Sequence, residues 1–210
     1  MSNTHVMKHP LVDHLIAKMR NKDTCPAEFR EAIKKLAQLE AYEALRDIQT
    51  KQIEVETPLE KTAQNVIDEE NICLVPILRA GLGMSDGISV LLPHSPTGHI
   101  GMYRDEKTHI AHEYYSRLPK NIANMEVLLL DPMLATGGSA IDAVNQLKSH
   151  GAKNIRFLCA IAAPEGVAKF EKAFPEIPLY IGALDRQLND NCYILPGLGD
   201  AGDRIFGTID

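Results

Sequence analysis

The stretch LLLDPMLATGGSA, residues 128–140, decides the fold because it carries an apolar run into a helical pattern. A short apolar run bounded by polar residues predicts a buried strand, and this one ends on the carboxylate of Asp131. The chain then crosses a Gly-rich turn and enters a helix predicted over 139–150, which stops at Gly151. A buried strand, a Gly-rich turn and a helix in this order are typical of an α/β fold.

The turn between Asp131 and the helix has the chemistry of an anion site. Glycines at 137 and 138 let backbone N–H groups close on an anion, Thr136 and Ser139 add hydroxyls, and the helix adds its positive dipole end. The Walker pattern is excluded because its lysine is missing. Asp131 can accept hydrogen bonds from both hydroxyls of a ribose diol. The stretch therefore predicts a site for a sugar phosphate, with a turn that merely caps a helix as the alternative.

The same alternation of strand, turn and helix recurs along the chain. Strands are predicted within NICLVPILRAGLG, GHIGMYR (near 98–103, before Arg104), EVLLLD, NIRFLCAIAAP and PLYIGAL, and helices over 84–92, 139–150 and GVAKFEKAF. Helical spacing after Pro10, through Leu11, Leu15, Ile16 and Met19, and after Pro26 predicts an N-terminal helical flank, about 10–50, or an oligomer surface. We expect one α/β domain over 1–210, with a mostly parallel sheet flanked by helices.

Composition narrows the class of protein. Apolar residues make up 45% and charged residues 24%, near globular averages, and the net charge of -6 argues against a nucleic-acid partner. The four cysteines lie far apart, which fits neither a zinc site nor a disulfide framework and favours the cytoplasm. No window approaches eighteen apolar residues, so we expect no membrane partner.

A second motif, VPILRAGLGM over 75–84, places Arg79 before two glycines. The dinucleotide fingerprint fails here because Asp86 stands where its third glycine belongs. A guanidinium can instead bind two oxygens of a diphosphate that the glycines allow to approach. The alternative is a surface arginine in an ordinary turn.

The third motif is the glycine-rich stretch YILPGLGDAGDRIFGT, residues 193–208. Too few residues follow it to build a dinucleotide-binding unit, so it is interpreted as a loop with available amides and carbonyls. Such groups can match the O2, N3–H and O4 edge of uracil, and a backbone donor at O4 would reject cytosine. A purely structural loop is the alternative.

In this order the motifs resemble the uracil phosphoribosyltransferases, a branch of the type I phosphoribosyltransferases. Most of that class carry two acids before the phosphate loop, whereas the form here, with proline second, is that of the uracil branch. The resemblance implies binding of 5-phosphoribosyl 1-diphosphate (PRPP) by Arg79, Arg104, Asp131, Pro132, Met133, Leu134, Ala135, Thr136, Gly137, Gly138, Ser139 and Asp200. It implies uracil binding through Ile194, Gly199, Asp200 and Ala201, with Asp200 and Arg104 as catalytic residues.

The resemblance also implies a reaction and its partners. Uracil and PRPP would give UMP and diphosphate in pyrimidine salvage, with Mg²⁺ held mainly by substrate oxygens and no metal ligand from the protein. A flexible hood would span about 105–120. GTP stays open as an effector, and a homodimer or higher homo-oligomer is expected.

Some features depart from the family or leave alternatives open. His109 and His112 are spaced for a metal but lack a third ligand, so solvated hood histidines explain them better. Cys192 stands where glycine usually precedes the tyrosine of the uracil loop. A transferase for another base and an RNA-binding regulator of the same fold remain as other functional classes.

Overall fold

The computed structural model describes residues 3–104 and 111–208, with the backbone alone at 103–104 and 111–113. The first half of the chain forms β1 (Thr4–Val6), α1 (Pro10–Arg20), α2 (Pro26–Ala44), β2 (Thr50–Glu56), β3 (Lys61–Ile67), β4 (Ile72–Leu78), α3 (Gly81–Leu91), β5 (His99–Arg104) and β6 (Ala111–Arg117). The second half forms β7 (Glu126–Leu130), β8 (Met133–Leu134), α4 (Gly138–Ser149), β9 (Asn154–Ala162), α5 (Pro164–Ala173), β10 (Leu179–Leu184), β11 (Gln187–Leu188), β12 (Ile194–Leu195) and α6 (Ala201–Phe206).

The main sheet has the strand order β1-β10-β9-β7-β4-β5-β6, with β8 paired to β9. All pairings along it are parallel except β5 with β6. The chain adds β5 on one side of β4 and then β7 on the other, so the strand order reverses between β4 and β7. Open α/β sheets bind ligands at such a switch point, beyond the carboxyl ends of the strands. The predicted α/β fold with a mostly parallel sheet is confirmed.

Helices cover both faces of the sheet because its strands are apolar on both sides. In β7, Leu128 and Leu130 belong to a core shared with α1, α2, α3 and α6, whereas Val127 and Leu129 face a core shared with α4 and α5. Such near-continuous apolar runs are expected of parallel strands. In the part of the chain that the structure describes, no helix is long and apolar enough to cross a membrane.

Several elements differ from the sequence prediction. Helix α3 begins at Gly81 rather than Met84, and in α1 the residue Leu11 is 56% exposed while Val12 is buried in its place. The strands β1, β2 and β3 were not predicted. The hairpin β2–β3 pairs only with itself and is exposed along most of its length, and only the short alternation of Ile53 and Val55 marks it in the sequence.

The N-terminal helices are part of the core and do not form a separate flank. Helix α2 buries Phe29, Ile33 and Leu36 and packs against β9, β10 and α3. Its apolar stripe is therefore covered within the chain, and an oligomer surface on these helices stays a prediction.

Helix α2 also buries a carboxyl group. Glu40 is fully buried, and neither of its carboxyl oxygens has a hydrogen-bond partner within residues 3–104 and 111–208. Desolvation raises the pKa of Glu40 well above its usual 4.5, and the nearby backbone of Gly182 opposes this only in part. A buried carboxyl without a partner is cheapest to hold as the neutral acid.

Glu40 should make the fold less stable as the pH rises. Because its pKa is raised in the folded chain, its contribution is complete below pH 4.5 and is lost as the pH rises towards the folded pKa. The neutral variant Glu40→Gln should gain stability relative to the unaltered protein as the pH rises from 4.5 towards the folded pKa of Glu40. Urea unfolding of both proteins measures this, and parallel stability curves would rule it out.

Candidate active site

The predicted functional residues gather at the carboxyl ends of the strands. Arg79 follows β4 and Asp131 follows β7, on the two sides of the switch point. Arg104 is the last residue of β5, the next strand along. The topology therefore brings the motifs around 79 and 131 to one edge of the sheet.

A cleft of about 630 Å³ opens at this edge. One wall is formed by Asp131 and residues 133–140, and the other by residues 190–194 and 197–200. The phosphate loop and the glycine-rich C-terminal loop, separated by about fifty residues in the sequence, thus face each other. Of the residues that the resemblance implies, the cleft is lined by Asp131, Met133, Leu134, Ala135, Thr136, Gly137, Gly138, Ser139, Ile194, Gly199 and Asp200.

The phosphate loop has the backbone of an anion cradle. Gly137 adopts the left-handed conformation, with φ 78°, and precedes the first residue of α4. Gly137 stands at the N-cap position and has no side chain with which to cap the first N–H groups of this helix. A Cβ on Gly138 would meet nothing closer than the hydroxyl of Thr136 at 3.9 Å, which leaves open space above the turn.

Neighbouring strands fix the loop from below. Pro132 is buried and its carbonyl accepts a hydrogen bond from Ile161 N at 3.0 Å, while the carbonyl of Leu134 accepts one from Ala163 N at 2.9 Å. Pro132 does not line the cleft, so it acts on the loop through the backbone. Asp131 is partly exposed on the cleft side of the loop, and its Oδ1 accepts a hydrogen bond from Met133 N at 3.4 Å.

Arg79 lies beside the cleft and is not part of its lining. Its guanidinium is 3.4 Å from Asp203 Oδ1 and stacks on the ring of Phe206 at 5.6 Å from the ring centroid. The sequence predicted that the glycines at 81 and 83 let a ligand approach the backbone, but in the structure they allow close packing between elements. A Cβ on Gly81 would come within 2.4 Å of the carbonyl oxygen of Leu130. Gly81 thus lets α3 lie close to β7, whereas a Cβ on Gly83 would come within 3.0 Å of Ile205 Cδ1 in α6.

The C-terminal loop is partly helical, unlike the continuous loop that was predicted. Gly197 and Gly199 have φ of 66° and 82°, after which α6 begins at Ala201. Asp200 caps this short helix by accepting a hydrogen bond from Asp203 N at 2.9 Å. Ala201 is buried and does not line the cleft.

Two arginines, the buried Arg204 and the partly exposed Arg20, hold this loop to the N-terminal helices. Arg204 donates to the carbonyls of Leu198 at 2.8 Å and Asn21 at 2.6 Å, and it stacks on Phe29. Arg20, the last residue of α1, pairs with Asp185 after β10. Sequence reasoning missed these contacts because the partners lie far apart in the chain. An arginine ending an apolar helix is the only signal that was visible.

Some predictions fall outside the described residues. The side chains of Arg104 and His112, and residue His109 with the rest of 105–110, are not described, so their roles stay predictions. Cys192 lines the cleft with φ 63°, in the left-handed region that glycine usually fills. Among the described residues, no group of three or more His, Cys, Asp or Glu could hold a metal ion.

Known proteins match the chain over nearly its whole length. The sequence pattern of the family described as uracil phosphoribosyltransferase matches residues 6–208. A uracil phosphoribosyltransferase from Staphylococcus aureus (strain Newman) is 51% identical over 208 residues, which is 99% of this chain and 100% of the relative. The solved structure of the AQ2163 protein from Aquifex aeolicus is 40% identical, covers 97% of both chains and superposes with a TM-score of 0.93.

A more distant structure shares the fold. Adenine phosphoribosyl transferase from Trypanosoma brucei, solved with AMP, pyrophosphate and ribose-5-phosphate, is 13% identical and has a TM-score of 0.59. The alignment covers 95% of this chain and 89% of that one. At this identity the likeness concerns the architecture of the sheet and its helices alone.

Proposed function

Because this chain belongs to the uracil phosphoribosyltransferase family, we propose that its cleft joins uracil to the phosphoribosyl group of PRPP. The products are UMP and diphosphate, and the role is pyrimidine salvage. The new bond forms between N1 of uracil and C1′ of the ribose, while the C1′–O bond to diphosphate breaks and the N1 proton is lost.

The observation that carries this proposal is the pairing of two loops across one cleft. The turn at 136–139 suits a phosphate, and the main chain at 194 and 199 suits a pyrimidine edge. A volume of about 630 Å³ lies within the usual range for small-molecule sites. A nucleotide has these two chemical ends, a phosphate and a base.

The ribose phosphate is held by the first wall. The amides of Gly138 and Ser139 and the hydroxyl of Thr136 receive the 5′-phosphate at the start of α4, where the helix dipole favours an anion. The carboxylate of Asp131 accepts hydrogen bonds from the ribose hydroxyls. This placement fixes C1′ in front of the second wall.

The second wall takes the base. Main-chain groups of Ile194 and Gly199 pair with the polar edge of uracil, whereas Ala201 is buried behind the lining and supports the loop. Asp200 lies next to the base and the ribose, where it orients the ribose or helps to remove the N1 proton.

Replacing Asp200 with asparagine separates its chemical role from its structural one. Asparagine caps helices as well as aspartate does, so the hydrogen bond from Asp203 N and the melting temperature should be kept. Loss of the charge should lower kcat by at least about tenfold. Steady-state kinetics and thermal unfolding of both proteins measure this. Near-normal turnover in Asp200→Asn would remove Asp200 from the chemistry.

Charge on the leaving diphosphate must be balanced as the C1′–O bond breaks. Arg79 and Arg104, at the ends of adjacent strands, supply guanidinium groups for it. Asp131, Asp190 and Asp200 line the cleft, but among the described residues they do not form a cluster that could ligate a metal by itself. We therefore propose a Mg²⁺ held mainly by substrate oxygens. Bound there, Mg²⁺ supplies further positive charge against the diphosphate.

The β5–β6 hairpin projects from the same edge of the sheet. Its strands pair antiparallel from His99 with Arg117 to Arg104 with Ala111, and the hood proposed for 105–120 includes its outer part. Closure of this hood over the cleft would exclude water, which competes with uracil for the developing ribosyl cation.

A homo-oligomer is supported by the other hairpin. The strands β2 and β3 form a separate two-stranded sheet, and its apolar residues Ile53 and Leu59 are 41% and 95% exposed. An isolated two-stranded hairpin is marginally stable in water, so contact with a second copy would stabilise it. Light scattering tests this proposal, and a monomer at assay concentration would contradict it.

Two further proposals come with the family resemblance. Location in the cytoplasm is supported by four cysteines that all carry free thiols, and a thiol-labelling assay in cell fractions would check it.

GTP is proposed as an effector on the resemblance alone. A GTP titration of the initial rate decides the question, and an unchanged rate would exclude it.

The test of the proposed function is product formation from PRPP with a panel of bases. UMP should form from uracil in the presence of Mg²⁺ and fail to form with a chelator, while cytosine, hypoxanthine and orotate give no product. Product from another base would point to a different transferase. Binding of PRPP without product from any base would favour the regulator class, which an RNA filter-binding assay would then examine.

A further inference from the structure

Arg20 and Asp185 form a closed hydrogen-bonded ring with the main chain of Gly197. Arg20 Nη1 donates to Asp185 Oδ2 at 2.9 Å and to the carbonyl of Gly197 at 2.8 Å, and its Nη2 donates to Asp185 Oδ1. Asp185 Oδ2 also accepts a hydrogen bond from Gly197 N at 2.9 Å. Both backbone polar groups of Gly197 are therefore held by one ion pair.

The ion pair is largely removed from water. The side chain of Asp185 is 2% exposed and that of Arg20 is 25% exposed. Breaking such a pair leaves a buried charge without compensation, so each partner fixes the other in place. The ring ties the end of α1 and the end of β10 to the turn after β12.

Gly197, the residue held by this ring, lies at the tightest turn of the C-terminal loop. Gly197 has φ 66°, and a Cβ there would lie 2.2 Å from the carbonyl oxygen of Ile194. The next carbonyl, that of Leu198, is held by Arg204, and the chain then reaches Gly199 and Asp200 in the cleft wall. The direction of these cleft-facing groups is thus set by the orientation of Gly197.

We propose that Arg20 and Asp185 are positioning residues that set the affinity and selectivity of the site for its base. The inference rests on the proposed function, in which the loop 194–201 receives uracil through its main chain. Neither side chain lines the cleft, so both act through the backbone of Gly197.

Recognition by main chain makes this positioning important. A backbone N–H or C=O cannot be re-aimed by a rotamer change, so its match to the base depends on how the loop is held. The phosphate loop has its own anchors at β9 and does not use this ring. Loss of the ring should therefore weaken binding of the base and spare PRPP.

The experiment compares Arg20→Lys with the unaltered protein in steady-state kinetics. Lysine keeps the charge but lacks the planar fork that reaches Asp185 and Gly197 together. The KM for uracil should rise by roughly tenfold, and the KM for PRPP should stay within about twofold. Use of cytosine relative to uracil should increase, because the donor that rejects cytosine is no longer fixed.

Arg156→Lys is a matched control. Arg156 also bridges a carboxylate, Asp47, and a main-chain carbonyl, that of Ala44, but it lies at the opposite ends of the strands. This variant should show a comparable loss of melting temperature without a change in either KM.

A second variant, Asp185→Asn, should reproduce the selective rise in the KM for uracil. Combined with Arg20→Lys it should add little further effect, since both act in one ring.

Chemical rescue adds a readout that general destabilisation would not show. Free guanidinium, at concentrations well below those that unfold the protein, should lower the KM of Arg20→Ala for uracil. The same addition should leave the KM of Arg156→Ala for uracil unchanged. Equal changes in the KM values for uracil and PRPP, or no change in either, would overturn the inference. The comparison uses whichever base the unaltered protein accepts, so a failure of the proposed function would be seen separately.

Discussion

Replacing Arg79 with alanine should lower kcat/KM for PRPP by about two to three orders of magnitude, the usual cost of removing one group that stabilises developing negative charge. Arg79 follows β4 directly at the switch point and is oriented by Asp203 at 3.4 Å and by the ring of Phe206. A leaving diphosphate gains charge as its bond to C1′ breaks, so the loss should appear mainly in kcat. Arg79→Lys should recover only part of it, since an ammonium cannot bind two oxygens in a fork.

Arg46→Ala is a closely matched control for Arg79→Ala. Arg46 pairs with Glu43 and stacks on Tyr42 at 5.7 Å, contacts of the same kind as those of Arg79, but it lies just after α2 and away from the cleft. Its loss should leave kcat/KM within about twofold, because exposed ion pairs contribute little. Comparable kinetics for the two variants would show that Arg79 does not act on the diphosphate.

Asp131→Ala should raise the dissociation constant of PRPP by about a hundredfold. The carboxylate stands at the end of β7 in the cleft wall, and the variant removes two charge-assisted hydrogen bonds to the ribose diol. Calorimetry with PRPP measures the change directly.

Asp142→Ala controls for the general effect of removing a negative charge near the phosphate loop. Asp142 lies one turn into α4, and its removal should leave PRPP binding unchanged or slightly stronger. An unchanged dissociation constant for Asp131→Ala would remove Asp131 from the ribose site.

The sequence was informative where burial and periodicity coincide. The strands β4, β7, β9 and β10 are apolar on both faces, so they could be found as continuous apolar runs in the sequence. Parallel strands have their carboxyl ends at one edge of the sheet, which is why Arg79 after β4 and Asp131 after β7 lie at the same edge.

The missed elements carry no such signal. The hairpin β2–β3 is exposed along most of its length, and its one strand signal, the alternation of Ile53 and Val55 with polar residues, is short and was missed. Glu40 lies on a charged helix and resembles a surface residue in the sequence, yet it is fully buried. The burial of a single position depends on what packs over it, here β9 and β10.

The supporting contacts of the site depend on distant parts of the chain. The ring of Arg20, Asp185 and Gly197 joins residues 165 and 177 positions apart. A motif in one stretch can indicate which chemistry a loop offers, but the residues that hold the loop are known only once the fold brings them together.

A crystal structure of the complex with UMP tests the central claim most directly. The account predicts the phosphate on the amides of 137–139, the ribose hydroxyls on Asp131, and the uracil edge against the main chain of Ile194 and Gly199. A nucleotide bound in the opposite direction, or outside this cleft, would contradict the assignment of both walls.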